Sequence, residues 1–239
     1  MFHAWMTGVI RNSIEFNARF STGHVKITTR AYAEYSSQSP NDLAILGTDT
    51  LMESLESDFQ ELKFAERIYF SGIIDVAGND KETIAQGPAV GIGIDMLSGN
   101  TDEPERLNLP LSLKAGNLPA GKREALLSRS FAENLGVSPG DTITLVGSSI
   151  YGGIVLYNFV LCGTVEFGTS ALDRGTIVAD IHDVREALRM TDATGEILGF
   201  LRTGRYNNQI AESVAEKFNR QYTSEDDEFS LLMKTLPQM

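Results

Sequence analysis

The chain has 239 residues, 42% of them hydrophobic, which supplies one large core or two small ones and excludes a disordered chain. Its 20 Lys+Arg stand against 32 Asp+Glu, a formal charge of −12 that repels phosphate backbones and anionic headgroups, so no nucleic acid is expected as a partner. No run reaches the ~20 apolar residues of a membrane span, and Met1 to Phe20 has neither the basic start nor the apolar centre of a signal peptide, so composition alone points to a soluble cytosolic protein.

Met6, Val9, Ile10, Ile14, Phe16 and Phe20 recur at roughly helical spacing, and residues 3–20 are expected to form an amphipathic helix that Gly23 helps to stop. Gly23 to Thr29 alternates with period two, as a strand does. A polar loop from Ser36 to Asn41 follows. Asp49 can cap a helix whose Leu51, Leu55, Phe59 and Leu62 lie near one face, the pattern of a helix laid on a sheet. Arg67 to Val76 is the next strand, Gly78-Asn79-Asp80 a turn, and Thr83 to Asp95 the returning strand, weakened by Pro88 and three glycines.

Composition shifts between Leu97 and Gly121, where Pro104, Pro110, Pro119 and several glycines are expected to break any regular element and to lead into a second lobe. Ser128 or Ser130 caps a short helix through Leu135, which Gly136 ends. Ser138-Pro139-Gly140-Asp141 has Pro and Gly where a type II turn needs them. Thr142 to Val146 is a strand, Gly147 to Gly153 a hairpin tip, and Ile154 to Val165 the returning strand. Gly175 to Ala179 is a further strand, and Asp180 caps a helix carrying Ile181, Val184 and Leu188. Glu196 to Thr203 is a strand, Asn207 or Asn208 caps a helix with Ile210, Val214 and Phe218, and Phe229 to Leu236 closes as a strand. The end of the chain repeats the β-α-β grammar of its beginning.

Chemistry-bearing patterns are sparse. Cys162 lies in an apolar run and reads as a small buried strand residue. His3, His24 and His182 fall in different elements without metal-ligand spacing and read as surface or boundary residues, so no metal is expected. Gly91-x-Gly93 has Met96 where a dinucleotide loop needs its last glycine, and no phosphate-binding P-loop occurs, so no cofactor is expected. Gly147-Ser148-Ser149-Ile150-Tyr151-Gly152 has Tyr151 where a nucleophile elbow needs glycine and reads as a hairpin turn. Glu225 to Glu228 reads as a solvated loop, because four consecutive carboxylates cannot converge on one cation. No catalytic residue is assigned.

One stretch is specific. Arg123-Glu124-Ala125-Leu126-Leu127-Ser128 leads to Ala132-Glu133-Asn134-Leu135-Gly136-Val137 and then Pro139-Gly140-Asp141-Thr142-Ile143-Thr144-Leu145. This run resembles the L-G-V-x-x-G-D-x-V-x-L signature of MacB-like periplasmic core domains in FtsX-type ABC-transporter permeases. Phe159 to Gly168, followed by Leu172-Asp173-Arg174-Gly175, resembles the same family's F-x-V-x-G-x-x-x-T-G…D-x-G run. Thr22-Gly23-His24-Val25-Lys26-Ile27 resembles the opening of LolC/LolE-like members. The three together cover nearly the whole chain in the right order.

The resemblance implies an α+β fold in which a porter lobe of β-α-β units is built from both ends of the domain, with an inserted mixed α/β sabre lobe between them. The porter lobe is then expected at 1–96 and 193–239 and the sabre lobe at 97–192. It also implies that the helix at 3–20 continues a membrane helix, which places the domain outside the cytoplasm at the inner membrane and reverses the cytosolic default. The implied role is mechanical and non-enzymatic: ATP hydrolysis on a separate ATP-binding subunit moves membrane helices, and these move the lobes. Implied partners are that subunit, a second permease subunit and a lipoprotein, periplasmic adaptor or chaperone. Lipoprotein-release permeases carry a longer, proline-containing hook that docks a chaperone, whereas Gly147 to Gly153 is a short tip without proline.

Within this chain, Ser148, Ser149, Ile150 and Tyr151 are the expected partner-binding residues, since a tip that exposes an aromatic and an aliphatic side chain suits a binding hot spot. Two other roles compete: an FtsX-like regulatory domain that gates a cell-wall hydrolase, and a stand-alone hydrolase.

Overall fold

A computed structural model describes residues 15, 17–78, 80 and 82–239. Met6, Val9, Ile10, Ile14 and Phe16 of the expected N-terminal helix lie outside the described residues, as does Asn79 of the expected turn; the helix is seen at its end, where a π-turn spans Ala18–Thr22 and Gly23 terminates it with φ 62°.

β1 (Val25–Thr29) begins the sheet, and a short helical turn, Arg30–Glu34, follows it, capped by the Thr29 side chain. β2 (Ile45–Leu46) precedes α1 (Thr48–Asp58). Asp49 does not cap α1. Gly47 occupies the cap position, and the carboxylate of Asp192 accepts from the Asp49 amide at 2.8 Å, so a residue distant in sequence satisfies the helix start. Leu55 and Phe59 are fully buried as the periodicity requires, but Leu62 belongs to β3 (Leu62–Ala77), a strand of 16 residues that starts well before Arg67. β4 (Thr83–Ile94) is continuous through its glycines.

The segment after Leu97 is more regular than its prolines suggest. Two helical turns, Glu103–Arg106 and Leu109–Ser112, each place proline in the first turn, where its missing N–H costs nothing, and β5 (Leu113–Gly116) follows. β6 (Glu124–Ser128) leads to α2 (Arg129–Leu135). Ser128 stands at the cap position, yet its hydroxyl is spent elsewhere, accepting from the Thr176 amide at 3.3 Å. Gly136 ends α2 at φ 70°, and the Ser138–Asp141 turn closes with Asp141 N–H on Ser138 O at 3.0 Å and Gly140 at φ 106°. β7 (Thr142–Ser148) and β8 (Ile154–Val165) form the hairpin, β7 taking in Gly147 and Ser148 from the expected tip. β9 (Thr176–Asp180) feeds α3 (Ile181–Leu188), capped by Asp180 as expected. β10 (Ala193–Thr194) pairs with β2 alone. β11 (Glu196–Leu201), α4 (Asn208–Tyr222, capped by Asn207) and β12 (Leu231–Thr235) complete the chain.

Two units share β3. The first is an antiparallel sheet in the order β12-β1-β11-β3, with α1 between β1 and β3 and α4 between β11 and β12. That order, with the two β-α-β units, is the ferredoxin-like arrangement. Its core holds Leu55 of α1 and Phe59 at the cap of that helix against Val214 and Phe218 of α4, the rings of Phe59 and Phe218 lying 5.9 Å apart. Each such side chain contributes roughly 1.5–3 kcal/mol by leaving water. The second unit closes on itself: β3 pairs β4, β4 pairs β9, β9 pairs β6, β6 pairs β8, β8 pairs β7, and β7 returns to β3 at Ile73–Asp75. Six strands thus form a ring around Phe70, Ile74, Leu145, Phe159 and Ile177, with α2 and α3 packed on the same core. The ring draws on strands from both sides of Leu97.

The glycines of β4 are explained by this packing. Gly91 and Gly93 face the ring interior, where Phe70 and Val184 occupy the space a side chain would need, while Ile92 and Ile94 turn outward and are covered by Leu107 and Leu109.

Candidate functional site

Where the two units meet, the chain buries an ion pair. Arg67 is the last residue of β3 paired with β11, opposite Glu196, and precedes the residues that pair with β7; its side chain has no solvent exposure. Its Nε donates to Glu103 Oε2 at 2.6 Å, Nη2 donates to the carbonyl of Arg19 at 2.7 Å, and Nη1 donates to the carbonyl of Phe20 at 2.8 Å. The last carbonyls of a helix lack intrahelical donors and carry the negative end of its dipole, so a guanidinium is a fitting cap. Tyr69 adds its hydroxyl to Phe20 O at 3.1 Å. One arginine thereby ties the end of the N-terminal helix, strand β3 and the Glu103 turn to a single point.

The charge is compensated on every side. Glu103 Oε1 accepts from Arg106 at 2.9 Å, and Asp102 pairs with both Arg106 and Lys63 at 3.1 and 2.7 Å. Lys63 and Arg106 pull the Asp102 carboxyl below its usual range. The Tyr69 phenol is pushed up by burial. The Arg67 guanidinium is held charged by Tyr69 and Glu103 against a desolvation that acts the other way.

A second tether holds the same helix end. His24, read from sequence as a surface or boundary residue, is buried: its Nδ1 accepts from the Leu201 amide at 2.9 Å, which leaves the proton on Nε2, 3.4 Å from Glu15. Glu15 in turn accepts from the Tyr206 amide at 3.0 Å. Burial lowers the His24 pKa, outweighing the Glu15 carboxylate that would raise it. Between these groups lies an open cavity of about 390 Å³ lined by Glu15, Arg19, His24, Lys63, Asp102 and Arg106.

The expected partner-binding tip is divided in its roles. Ser148 ends β7 and is exposed, whereas Ser149 is buried and closes the turn, its N–H donating to Gly153 O at 2.8 Å and its hydroxyl accepting from Gly153 N–H at 3.2 Å. Ile150 packs against the ring core, with its N–H on Leu188 O at 3.2 Å; Tyr151 is 80% exposed. The tip and the loop at Pro40 and Asp42 face each other across an open cleft of about 590 Å³.

Cys162 donates to Ala125 O at 3.3 Å, and burial pushes its thiol up to about 12, so it is an inert strand residue. The Glu225–Glu228 side chains are exposed, and their loop is held from beneath by Arg30, which donates to the carbonyls of Ser224, Glu225 and Asp227. Among the described residues no group of three or more His, Cys, Asp or Glu is placed to hold a metal, and no helix is long and apolar enough to cross a membrane. His3 lies outside the described residues, and His182 is exposed on α3.

Sequence reading did not single out Arg67 or Glu103. The available signal was a charged residue opening an otherwise apolar strand, Arg67-Ile68-Tyr69-Phe70, and an acidic residue placed before Pro104.

Two solved structures have this fold. The periplasmic region of MacB from Actinobacillus actinomycetemcomitans superposes with a TM-score of 0.56 over 90% of this chain and 89% of its own, at 16% identity. The extracellular domain of the noncanonic ABC-type transporter YknZ from Gram-positive bacteria does so with a TM-score of 0.53 over 88% of this chain and 99% of its own, at 12% identity. No family model and no curated protein matches the sequence. The chain has the α+β fold of these two extracytoplasmic domains.

Proposed function

We propose that this chain is the extracytoplasmic domain of an ABC-type export permease and that it transmits ATP-driven motion of membrane helices to a substrate or partner. The observation that carries this reading is the Arg67 anchor: a domain driven from its N-terminal helix needs that helix end fixed to the strand both units share, and Arg67 makes that connection. The shared fold with the MacB and YknZ domains supports it. In this reading the four-stranded sheet serves as the porter lobe, 1–96 with 193–239, and 97–192 serves as the sabre lobe, closed onto the β3–β4 hairpin. The chain itself catalyses nothing, ATP being hydrolysed on a separate subunit of an assembly in the inner membrane with a second permease copy or paralogue. Its cargo is a lipoprotein or an efflux-type substrate, handed to an adaptor or chaperone.

The native reading frame provides the first test. Apolar stretches of about 20 residues adjoining both ends of this sequence are expected, and their absence would overturn the reading. In the assembled permease, a probe at Ala77→Cys should change its distance from the membrane-embedded part between ATP- and ADP-bound states; an unchanged distance also counts against it. The short Ser149–Gly153 turn lacks the proline-containing hook of lipoprotein-release permeases and so weighs against a docked chaperone; the second reading is an FtsX-like gate for a cell-wall hydrolase. Co-purification of a hydrolase rather than a lipoprotein or adaptor would select it.

A further inference from the structure

Strand β8 has two edges of unequal length. β7 pairs with it down to Ile154, whereas β6 pairs with it only from Val160 onward. The two edges are identified by their bonds: Val160 N–H donates to Arg123 O at 2.7 Å on the β6 side, while Leu161 N–H donates to Asp141 O at 2.9 Å and Leu161 O accepts from Gly140 N–H at 2.8 Å on the β7 side. Backbone groups of successive strand residues point to opposite edges. Ile154, Leu156 and Asn158 therefore aim their N–H and C=O groups along the line of β6, at positions that β6 does not reach.

Beyond this edge is an open groove of about 640 Å³, walled on the far side by Glu186, Ala187 and Arg189 and bounded by Arg123. Among the described residues no backbone group pairs with this edge. Natural proteins blunt an exposed strand with lysine, proline or an inward charge, yet residues 154–158 contain none, and Ile154 and Leu156 are 82% and 70% exposed.

Charge selects the occupant. A chain with formal charge −12 repels a second copy, but at this groove the local balance is reversed. Glu186 is already paired with Arg123 at 3.1 Å, and Asp183 is buried and engaged by Tyr157 and the Arg123 amide. Arg189 is exposed at the end of α3 without a carboxylate partner among the described residues, and Lys122 lies beside Arg123.

We propose that the free edge of β8 is a strand-addition site for an extended segment of a partner protein, with apolar side chains at alternating positions and a carboxylate that meets Arg189. Backbone bonds to Leu156 and Asn158 supply the docking, and Ile154 and Leu156 supply apolar contact. The inference rests on strand geometry and local charge and is independent of what drives the domain.

The probes are a short synthetic peptide of alternating Val and Thr carrying one Glu, and its counterpart with Lys in place of Glu. The acidic peptide is expected to bind and to slow hydrogen exchange at the Leu156 and Asn158 amides. Leu156→Pro removes a donor from the free edge while sparing the β7 ladder, and it should weaken binding about tenfold. Arg189→Glu, on an exposed helix end, should reverse the preference to the Lys peptide and carries the test if the proline variant does not fold. Failure of both peptides to bind, protection at other amides, or binding indifferent to Arg189→Glu overturns the proposal. Concentration-dependent dimerisation that protects the same amides also overturns it, assigning the edge to a second copy.

Discussion

Phe70 and Gly91 are direct partners across the β3–β4 hairpin, and the Phe70 ring lies where a side chain on Gly91 would have to be. The ring turns into the interior of the six-stranded unit because its partner contributes only hydrogen. Gly91→Ala forces the aromatic side chain out of its packed position and should cost about 3 kcal/mol, at the upper end of overpacking. Urea denaturation measures this, and the companion variant Gly91→Ala/Phe70→Leu should recover part of the loss. Full stability in the single variant would show that the ring is free to move elsewhere.

Glu103→Gln keeps the shape of the Arg67 site and removes its counter-charge. A buried cation left without its partner costs about 3–5 kcal/mol, whereas Lys63→Ala, which breaks a half-exposed pair with Asp102, should cost less than about 1 kcal/mol. The expected signature is local as well as global, because the amides of Ala18 to Gly23 should exchange faster in Glu103→Gln and be unchanged in Lys63→Ala. Equal effects of the two substitutions would remove Arg67 from its anchoring role.

The pH dependence follows from His24. Its folded pKa lies below the ordinary value of 6.5 because burial disfavours the imidazolium. The unfolded chain binds the proton more readily than the folded one, so the contribution of neutral His24 is fully present above about pH 6.5 and is lost as pH falls from there towards the folded pKa. Stability measured at pH 7.5 and at pH 5.5 should decline in the wild type. The slope over that window should flatten in His24→Phe, which is less stable throughout because the Leu201 amide loses its acceptor. A decline of the same size in both proteins would place the titration on another group.

Ile150 and Tyr151 should separate in a stability experiment. Tyr151→Ser removes a side chain that faces water and should change the free energy of unfolding by less than about 0.5 kcal/mol. Ile150→Ser withdraws a residue from the ring core and should cost about 1–2 kcal/mol. Matching melting temperatures for the two variants would mean that Ile150 is as free as Tyr151.

Local features were legible in the sequence because they depend on neighbouring residues. Gly136 and Gly140 take the left-handed conformations that a helix end and a type II turn demand, and Asp180 and Asn207 cap the helices they precede. The motif around these glycines carried the fold resemblance. What escaped was non-local. Asp192 reaches the start of α1 from more than a hundred residues away, so the local pattern could offer only a neighbouring residue such as Asp49 as the cap. Arg67 and Glu103 lie on elements separated by a whole hairpin, and neither has a periodic neighbour to mark it. Ring closure depends on β7 reaching β3 at three residues, a register that no local pattern encodes.

The six-stranded ring is laddered all the way round, apart from the stretch of β8 that β6 does not reach. Sliding β4 against β3 would have to be taken up by an opposite slip elsewhere around the circumference, because the total register shift of a closed ring is fixed. The ferredoxin-like sheet, open at β12, has no such constraint and can flex. From Arg67 to Ala77 β3 extends about 33 Å at about 3.3 Å per residue, so a tilt of about 10° pivoting at Arg67 sweeps the hairpin end through roughly 6 Å. The other five strands must make that sweep with it, as the wall of one stiff tube hinged at a buried arginine.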